Sequence, residues 1–308
     1  MGIRRVQAEL ARKKFINMCL LNDKRRLETE VNCEGVQIFS DIPYMKDEST
    51  NHLLDYYLPK GFSFETDKCD KAFLVIHGGG LVYGTKELDR CFSTYLVGYS
   101  GIPVMNVNYS LIQENGLCGM LQDIIEAISF VKKEFGIRKI HLVGDSAGAY
   151  LALLVTGVMH DKNIRSDFNI TVTSKVHIDS VNLISGMFRL TNKGYPDRSV
   201  IIYEANDAQD FKAPNYAFDL GLLVKRIVCP RATIITGGDD YLKEDSIYMH
   251  DLLLKEEVKS KFYCAETVID VLNEKDIRIM AHVYPIAKPT WLESRRVISM
   301  ITANANRV

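Results

Sequence analysis

The sequence has no excess of charge of either sign and no apolar run long enough to cross a membrane. Its 308 residues carry 38 Lys and Arg against 39 Asp and Glu, a formal net charge of −1. Nucleic-acid-binding proteins normally show a strong basic excess, so this balance predicts no nucleic-acid partner. The apolar stretch from Ala149 to Met159 is well short of the ~20 residues of a spanning helix, so no membrane span is expected.

Cysteine is also too sparse and too scattered to organise the chain. There are seven cysteines, an odd number, and no two of them have Cys-x-x-Cys spacing. This pattern argues against a disulfide framework and against a zinc site. Met1 to Leu20 is charged throughout and lacks the apolar core of a secretory signal. We therefore expect a cytoplasmic protein with reduced thiols and no metal.

Residues 1–34 are predicted to form an N-terminal helical segment. The charged, periodic stretch 4–28 is typical of a helix with a solvated face. Acidic residues dilute its basic charge, which favours a solvated face over a membrane-surface helix. Two extended segments follow, Gly35 to Tyr44 and His52 to Pro59, and the polar turn between them predicts a hairpin.

From Lys71 onward, short apolar runs alternate with longer helical patterns. Apolar strands that alternate with helices indicate a parallel sheet covered on both faces. We expect one α/β domain over residues 1–308, with a mostly parallel, twisted sheet of about eight strands that includes the hairpin. The other predicted strands are Ala72–Ile76, Pro103–Val107, Ile140–Val143, Val181–Ile184, Ala232–Ile235 and Ile277–Val283.

A glycine-rich motif, Gly-Asp-Ser-Ala-Gly at 144–148, directly follows one of these strands. A strand that ends in Gly-x-Ser-x-Gly and runs into a helix is typical of a nucleophile elbow, in which the strained serine holds its hydroxyl clear of the backbone. Glycines on both sides leave room where a Cβ would collide with a neighbouring strand or helix. Ser146 is therefore the candidate nucleophile.

A serine nucleophile needs a base, and the base needs an acid that fixes its tautomer. In chains with this elbow the order is Ser, then Asp or Glu, then His. His282 lies at the end of the predicted strand that begins at Ile277, at the edge where open α/β sheets bind ligands, whereas His250 falls within a predicted amphipathic helix. We take His282 as the base. The acid comes from Asp239 or Asp240, and the spacing does not choose between them.

A second glycine motif, His-Gly-Gly-Gly at 77–80, follows the predicted strand Ala72–Ile76. Successive glycines let the backbone approach a substrate oxygen and point its amides into the site. Preorganised N–H donors of this kind stabilise an oxyanion. The predicted donors are Gly78, Gly79 and Ala147, the residue after the nucleophile. The alternative, a glycine turn that only ends a strand, is weakened by the serine motif downstream.

Residues 188–219 interrupt the alternation of strands and helices. They are mixed and rich in aromatic residues, with no clear strand period. A long insertion between sheet strands is either a lid over the site or an elaborate surface loop. We favour the lid, because the insertion follows a sheet strand just downstream of the serine motif.

These motifs together resemble the hormone-sensitive-lipase-like, or acetyl esterase, branch of the α/β-hydrolases. Besides the glycine and serine motifs, Leu-Asp-Tyr-Tyr-Leu-Pro at 54–59 is similar to that branch's second-strand segment. Asn-Tyr-Ser-Leu at 108–111, with Glu114, looks like its Tyr-Arg-Leu-x-Pro-Glu segment. The resemblance extends roughly over residues 35–300.

The resemblance implies the α/β-hydrolase fold with a small lid, and a serine carboxylesterase that acts on short, acetyl-like esters without a cofactor. The branch's acid motif aligns with Asp240-Tyr241-Leu242 and so favours Asp240, and its histidine motif aligns with His282. The partner is then a small-molecule acyl ester. Relatives in this branch often pair, which leaves a homodimer open.

The chain departs from the branch at several positions. Tyr150 stands where asparagine is common, and we expect Tyr150 and Tyr109 to line and narrow the substrate pocket. An extra helical piece is expected around residues 261–273. Amidases, formamidases and some peptidases use the same machinery on this fold and remain alternatives. A non-catalytic ligand-binding protein is disfavoured, since all three triad members are present.

Overall fold

A computed structural model of the chain describes residues 3–190, 212–269 and 277–306. Most of the predicted lid, residues 191–211, lies outside the described residues. The two ends of that insertion meet, because Arg189 and Asp219 form an antiparallel bridge.

An eight-stranded sheet forms the centre of the fold. Its strands are β1 (Val36–Pro43), β2 (Leu53–Pro59), β3 (Lys71–Ile76), β4 (Val104–Val107), β5 (Lys139–Asp145), β6 (His177–Ile184), β7 (Arg231–Gly237) and β8 (Ser260–Ala265). They lie in the order β1-β2-β4-β3-β5-β6-β7-β8. Only β2 runs antiparallel to its neighbours, β1 and β4, and the other pairs are parallel. The predicted strand number and the hairpin at the sheet edge are confirmed.

Helices pack on both faces of this sheet. Their bounds are α1 (Ile3–Thr29), α2 (Arg90–Ser100), α3 (Ile112–Phe135), α4 (Ala147–His160), α5 (Lys162–Asp167), α6 (Asn215–Phe218), α7 (Leu220–Val224), α8 (Lys243–Lys255), α9 (Tyr284–Ala287) and α10 (Leu292–Ala305). Side chains alternate along a strand, so Leu74 and Ile76 of β3 pack with α3 and α4 while Phe73 and Val75 pack with α2 and α10. This confirms the predicted α/β architecture.

The last strand of the sheet lies where we expected a helical piece. Residues 260–265 form β8, and the predicted strand at 277–283 is extended only at Ile277–Arg278 (β10), which pairs with Val268–Ile269 (β9) outside the main sheet. β8 lies at the sheet edge, and all of its residues except Ala265 are partly exposed. Such a strand mixes polar and apolar residues, so it lacks the continuous apolar run of a buried parallel strand. Residues 270–276 fall outside the described ranges.

Helix α1 lies within the predicted N-terminal segment 1–34 and is solvated on one side only. A Cβ on Gly80 would lie 3.2 Å from the ring of Phe15, so this helix packs against the segment that follows β3. Farther along the helix, Arg26 Nη1 donates to the carbonyl of Leu88 at 2.9 Å. Within the described ranges, no helix is both long and apolar enough to cross a membrane.

Candidate active site

The serine motif forms a sharp turn between β5 and α4. Ser146 has φ 52° and ψ −113°. Residues other than glycine rarely adopt a backbone conformation with positive φ. Its N–H donates to the carbonyl of Ile184 at 2.8 Å, which ties the turn to β6. A Cβ on Gly148 would lie 1.8 Å from the carbonyl oxygen of Ile76, and one on Gly144 would lie 2.3 Å from the Gly148 carbonyl oxygen. The turn therefore requires both glycines.

The structure brings the three predicted triad residues together from distant parts of the chain. His282 Nε2 lies 3.0 Å from Ser146 Oγ, and His282 Nδ1 lies 2.9 Å from Asp240 Oδ1. A carboxylate at Nδ1 favours a proton there, which leaves Nε2 free to accept the serine proton. Ser146 is 7% exposed and Asp240 is 5% exposed, so both ends of the hydrogen-bonded chain are shielded from bulk water.

Asp240 is held as a carboxylate by hydrogen bonds. Oδ1 accepts the Leu242 N–H at 2.8 Å, and Oδ2 accepts the Thr236 hydroxyl at 3.0 Å. Burial opposes ionisation, but the bonds from His282, Ser185 and Leu242 outweigh it and lower the pKa of Asp240. The acid therefore stays ionised and able to orient the imidazole.

Ser185 is a site residue that the sequence reasoning missed. It follows β6 at φ 51° and is completely buried. Against the effect of burial, its hydroxyl helps to lower the pKa of Asp240, and it accepts the N–H of Val283 at 3.1 Å. Ser185 thus links the acid to the loop that carries the histidine. The sequence feature that indicates Ser185 is its position directly after the apolar run 181–184, at the same sheet edge as the serine motif.

The glycine loop after β3 lies beside the serine. Gly79 and Gly80 have φ of 109° and 62°, and a Cβ on Gly79 would lie 1.9 Å from the carbonyl oxygen of Tyr83. Within the described ranges, neither N–H donates to a backbone carbonyl. The N–H of Ala147 lies in the first turn of α4, where helix N–H groups have no partner within the helix.

Gly78, one of the predicted oxyanion donors, lies against the serine turn. A Cβ on Gly78 would lie 2.4 Å from Asp145 Oδ2 and 3.1 Å from Ser146 Cβ. Gly78 therefore allows the loop to approach the serine turn closely.

The two tyrosines expected to line the pocket are buried behind the site instead. Tyr109 is 2% exposed, stacks on His77 with ring centroids 4.3 Å apart, and donates to the His77 carbonyl at 2.6 Å. Tyr150 has no exposed surface and donates to the carbonyl of Ala217 at 2.9 Å. Both hydroxyls are committed to backbone carbonyls, so these side chains support the glycine loop and α6 rather than line an open pocket.

Comparison with known families agrees with this fold and with the motif resemblance. Residues 73–272 match the model of a family described as alpha/beta hydrolase fold. The match spans more than half of the chain, and the chain therefore belongs to this α/β-hydrolase family.

Among individual proteins, the chain is similar to an acetyl esterase of Salmonella paratyphi A, at 26% identity over 189 residues. That alignment covers 58% of this chain and 58% of the relative, so the chain spans less than two thirds of the relative's length. In structure it is similar to esterase B of Lactobacillus rhamnosis, with TM-score 0.81, 19% identity and 98% of each chain covered. An esterase of the bacterial hormone-sensitive lipase family gives TM-score 0.67 at 17% identity, covering 90% of this chain and 86% of that one.

Proposed function

We propose that the protein hydrolyses carboxylic esters through an acyl-enzyme on Ser146. The observation that carries this proposal is the continuous hydrogen-bonded chain from Ser146 Oγ through His282 to Asp240, with contacts of 3.0 and 2.9 Å. A serine at a strained elbow, a histidine in reach of its proton and a buried carboxylate behind that histidine are what acyl transfer requires.

In this mechanism Ser146 attacks the ester carbonyl while His282 Nε2 takes the hydroxyl proton. Asp240 holds the imidazole and stabilises its protonated form. The N–H groups of Gly78, Gly79 and Ala147 stabilise the negative oxygen of the tetrahedral intermediate. His282 then gives the proton to the leaving alcohol, and water releases the acid from the serine with the same roles in reverse. No step calls for a cofactor.

We propose short acyl groups as the substrate class. The relatives with similar sequences are acetyl esterases, and esterase B of Lactobacillus rhamnosis has been crystallised with a C4-C4 tributyrin phosphonate. The small exposed fraction of Ser146 also favours a small acyl group, because a long chain would need an apolar channel to the nucleophile.

Replacement of the nucleophile tests the mechanism. In Ser146→Ala, kcat/KM for 4-nitrophenyl acetate is expected to fall by at least about 10⁴-fold, since the oxyanion donors and binding alone remain. A fluorophosphonate probe should label the wild type and the control Ser299→Ala, which alters an exposed serine of α10, but not Ser146→Ala. Substantial turnover or labelling in Ser146→Ala would overturn the assignment.

A panel of substrates distinguishes esterase activity from the alternative amidase activity. We expect kcat/KM to fall as the acyl chain of 4-nitrophenyl esters lengthens from acetate to octanoate, and 4-nitroacetanilide to be cleaved far more slowly. An amine is a poor leaving group that must be protonated as it departs. Faster cleavage of the anilide or of a formamide than of the acetate ester would assign an amidase instead.

A further inference from the structure

Asp145, the residue before the serine, has no part in the mechanism above and is nevertheless buried beside it. Its carboxyl interacts electrostatically with that of Asp89, the last residue of the 3₁₀ turn Lys86–Asp89. The two residues are 6% and 1% exposed. Asp89 precedes α2, but its side chain makes no capping bond to that helix. A buried carboxyl pair behind a catalytic serine needs a physical account, because burying two like charges is costly.

One oxygen of each carboxyl lacks a hydrogen-bond donor among the described residues, and this explains how the two can be buried together. Asp89 Oδ2 and Asp145 Oδ1 are buried, and neither receives a hydrogen bond from an N–H or hydroxyl in the described part of the chain. The carboxyl of Asp145 is the strongest electrostatic partner of Asp89. Two carboxylates only accept, so a hydrogen bond between them requires that one of them carries a proton.

The pKa shifts of the two carboxyls also indicate that the pair retains a proton. Burial, together with the charge of Asp145, raises the pKa of Asp89 well above its usual range. Burial raises the pKa of Asp145 to about 6, against the lowering effects of His282, Arg26 and the Gly78 N–H. Like-charged carboxyls that share a site commonly retain one proton between them.

The charged neighbours of the pair come from three elements. Arg26 of α1 faces both carboxyls, and Glu30 faces Asp89. Arg26 is itself held by Asp23 at 3.2 Å and by Glu30 at 2.9 Å. His282 faces Asp145 from the histidine loop. Tyr109 also faces the pair: burial, followed by the charges of Asp145 and Asp89, raises its pKa, so its hydroxyl stays neutral.

The pair also contacts the glycine loop directly. Asp145 Oδ2 would lie 2.4 Å from a Cβ on Gly78, so the carboxyl packs against the loop. A second charge at this place would lie behind the position where the substrate oxygen becomes negative. Holding one proton in the pair therefore fixes the loop and limits the negative charge behind the oxyanion donors.

We propose that Asp89 and Asp145 share a single proton and that this hydrogen-bonded pair positions the Gly78–Gly80 loop against Ser146. Asp89 is a positioning residue that acts through Asp145, and it does not touch the substrate. The catalytic consequence rests on the proposed esterase function, whereas the shared proton is a property of the folded protein whatever it hydrolyses.

Infrared spectroscopy tests the shared proton without reference to activity. At about pH 8, where an ordinary aspartate is fully ionised, the wild type should show the carbonyl band of a protonated, buried carboxyl. That band should disappear in Asp89→Asn and in Asp145→Asn. It should persist in the control Asp123→Asn, which replaces a buried aspartate that already receives the Ser110 N–H at 2.8 Å. Absence of the band in folded wild-type protein, or its survival in Asp89→Asn, would overturn the proposal.

Kinetics test the positioning role. In Asp89→Ala the bond to Asp145 is lost, and kcat on 4-nitrophenyl acetate should fall about tenfold with KM changed less than about twofold, since the loop is misplaced only against the transition state. Asp89→Asn should restore kcat, because its amide donates to ionised Asp145. It should also move the acid limb of the kcat profile to lower pH. Equal kcat in wild type and Asp89→Ala would refute positioning. If no ester is cleaved but the band behaves as expected, only the proposed function fails.

Discussion

Two adjacent aspartates at the end of β7 have opposite surroundings. Asp240 is buried and bonds His282, whereas Asp239 is exposed and accepts the hydroxyl of Thr267. Successive side chains leave a turn in different directions, so only one of the two can meet the imidazole. This difference provides a matched pair of variants.

Asp240→Asn is expected to lower kcat by about 10³–10⁴-fold, because the amide no longer stabilises the protonated imidazole or selects its tautomer. Asp239→Asn should leave kcat within about threefold, since that side chain lies outside the hydrogen-bonded chain. Steady-state kinetics on 4-nitrophenyl acetate measure both. The assignment of the acid fails if the two variants lose activity equally.

At the scale of elements, the turn between β5 and α4 depends on how closely α4 approaches β3. The carbonyl of Ile76 occupies the space that a Cβ on Gly148 would need. Farther along the same helix, a Cβ on Gly157 would meet only flexible side chains, Leu223 at 3.1 Å and Ile164 at 3.3 Å. The two glycines therefore differ in what they permit although they share a helix.

Gly148→Ala should lower the free energy of unfolding by about 3 kcal/mol or more, because the backbone of β3 or α4 must shift. Gly157→Ala should change it by no more than about 1 kcal/mol, since the higher helix propensity of alanine offsets the tight contact. Urea unfolding followed by circular dichroism measures both. Similar stability in the two variants would mean that the elbow tolerates a methyl group.

At the scale of the whole molecule, part of the stability comes from a buried histidine, His141, that stays neutral. His141 of β5 is 1% exposed and lies 2.9 Å from Ser180 Oγ. Burial lowers its pKa to about 4, against about 6.5 in an unfolded chain. The unfolded state therefore binds the proton more readily. The stability that neutral His141 provides is complete above about pH 6.5 and is lost as the pH falls towards 4.

The difference in unfolding free energy between about pH 7.5 and pH 5 should therefore change in His141→Gln. This variant should lose about 2 kcal/mol less on acidification than the wild type, since it has no imidazole to protonate. His177→Gln, at an exposed histidine of β6, serves as the control and should lose as much as the wild type. An unchanged acid loss in His141→Gln would show that His141 is not held neutral.

The sequence by itself determined which functional motifs follow which predicted strands. Each of the glycine and serine motifs follows an apolar run, and the carboxyl ends of parallel strands meet at one sheet edge, so the sequence alone placed Gly79 and Ser146 at one site. His282 was identified by its order in the chain and by a predicted strand that the structure places outside the main sheet. Continuous apolar strands also indicated the parallel sheet with helices on both faces. These are local patterns, and burial on both faces makes them easy to read.

Tertiary structure decided what depends on contacts between distant segments. It brought Asp240 rather than Asp239 to His282, packed Gly78 against Asp145 and the serine turn, and placed Ser185 between the acid and the histidine loop. It also placed β8 at a half-exposed edge of the sheet, where a strand mixes polar and apolar residues. The direction in which a side chain leaves a turn, and the partner it meets there, are set by long-range packing, which spacing along the chain does not encode.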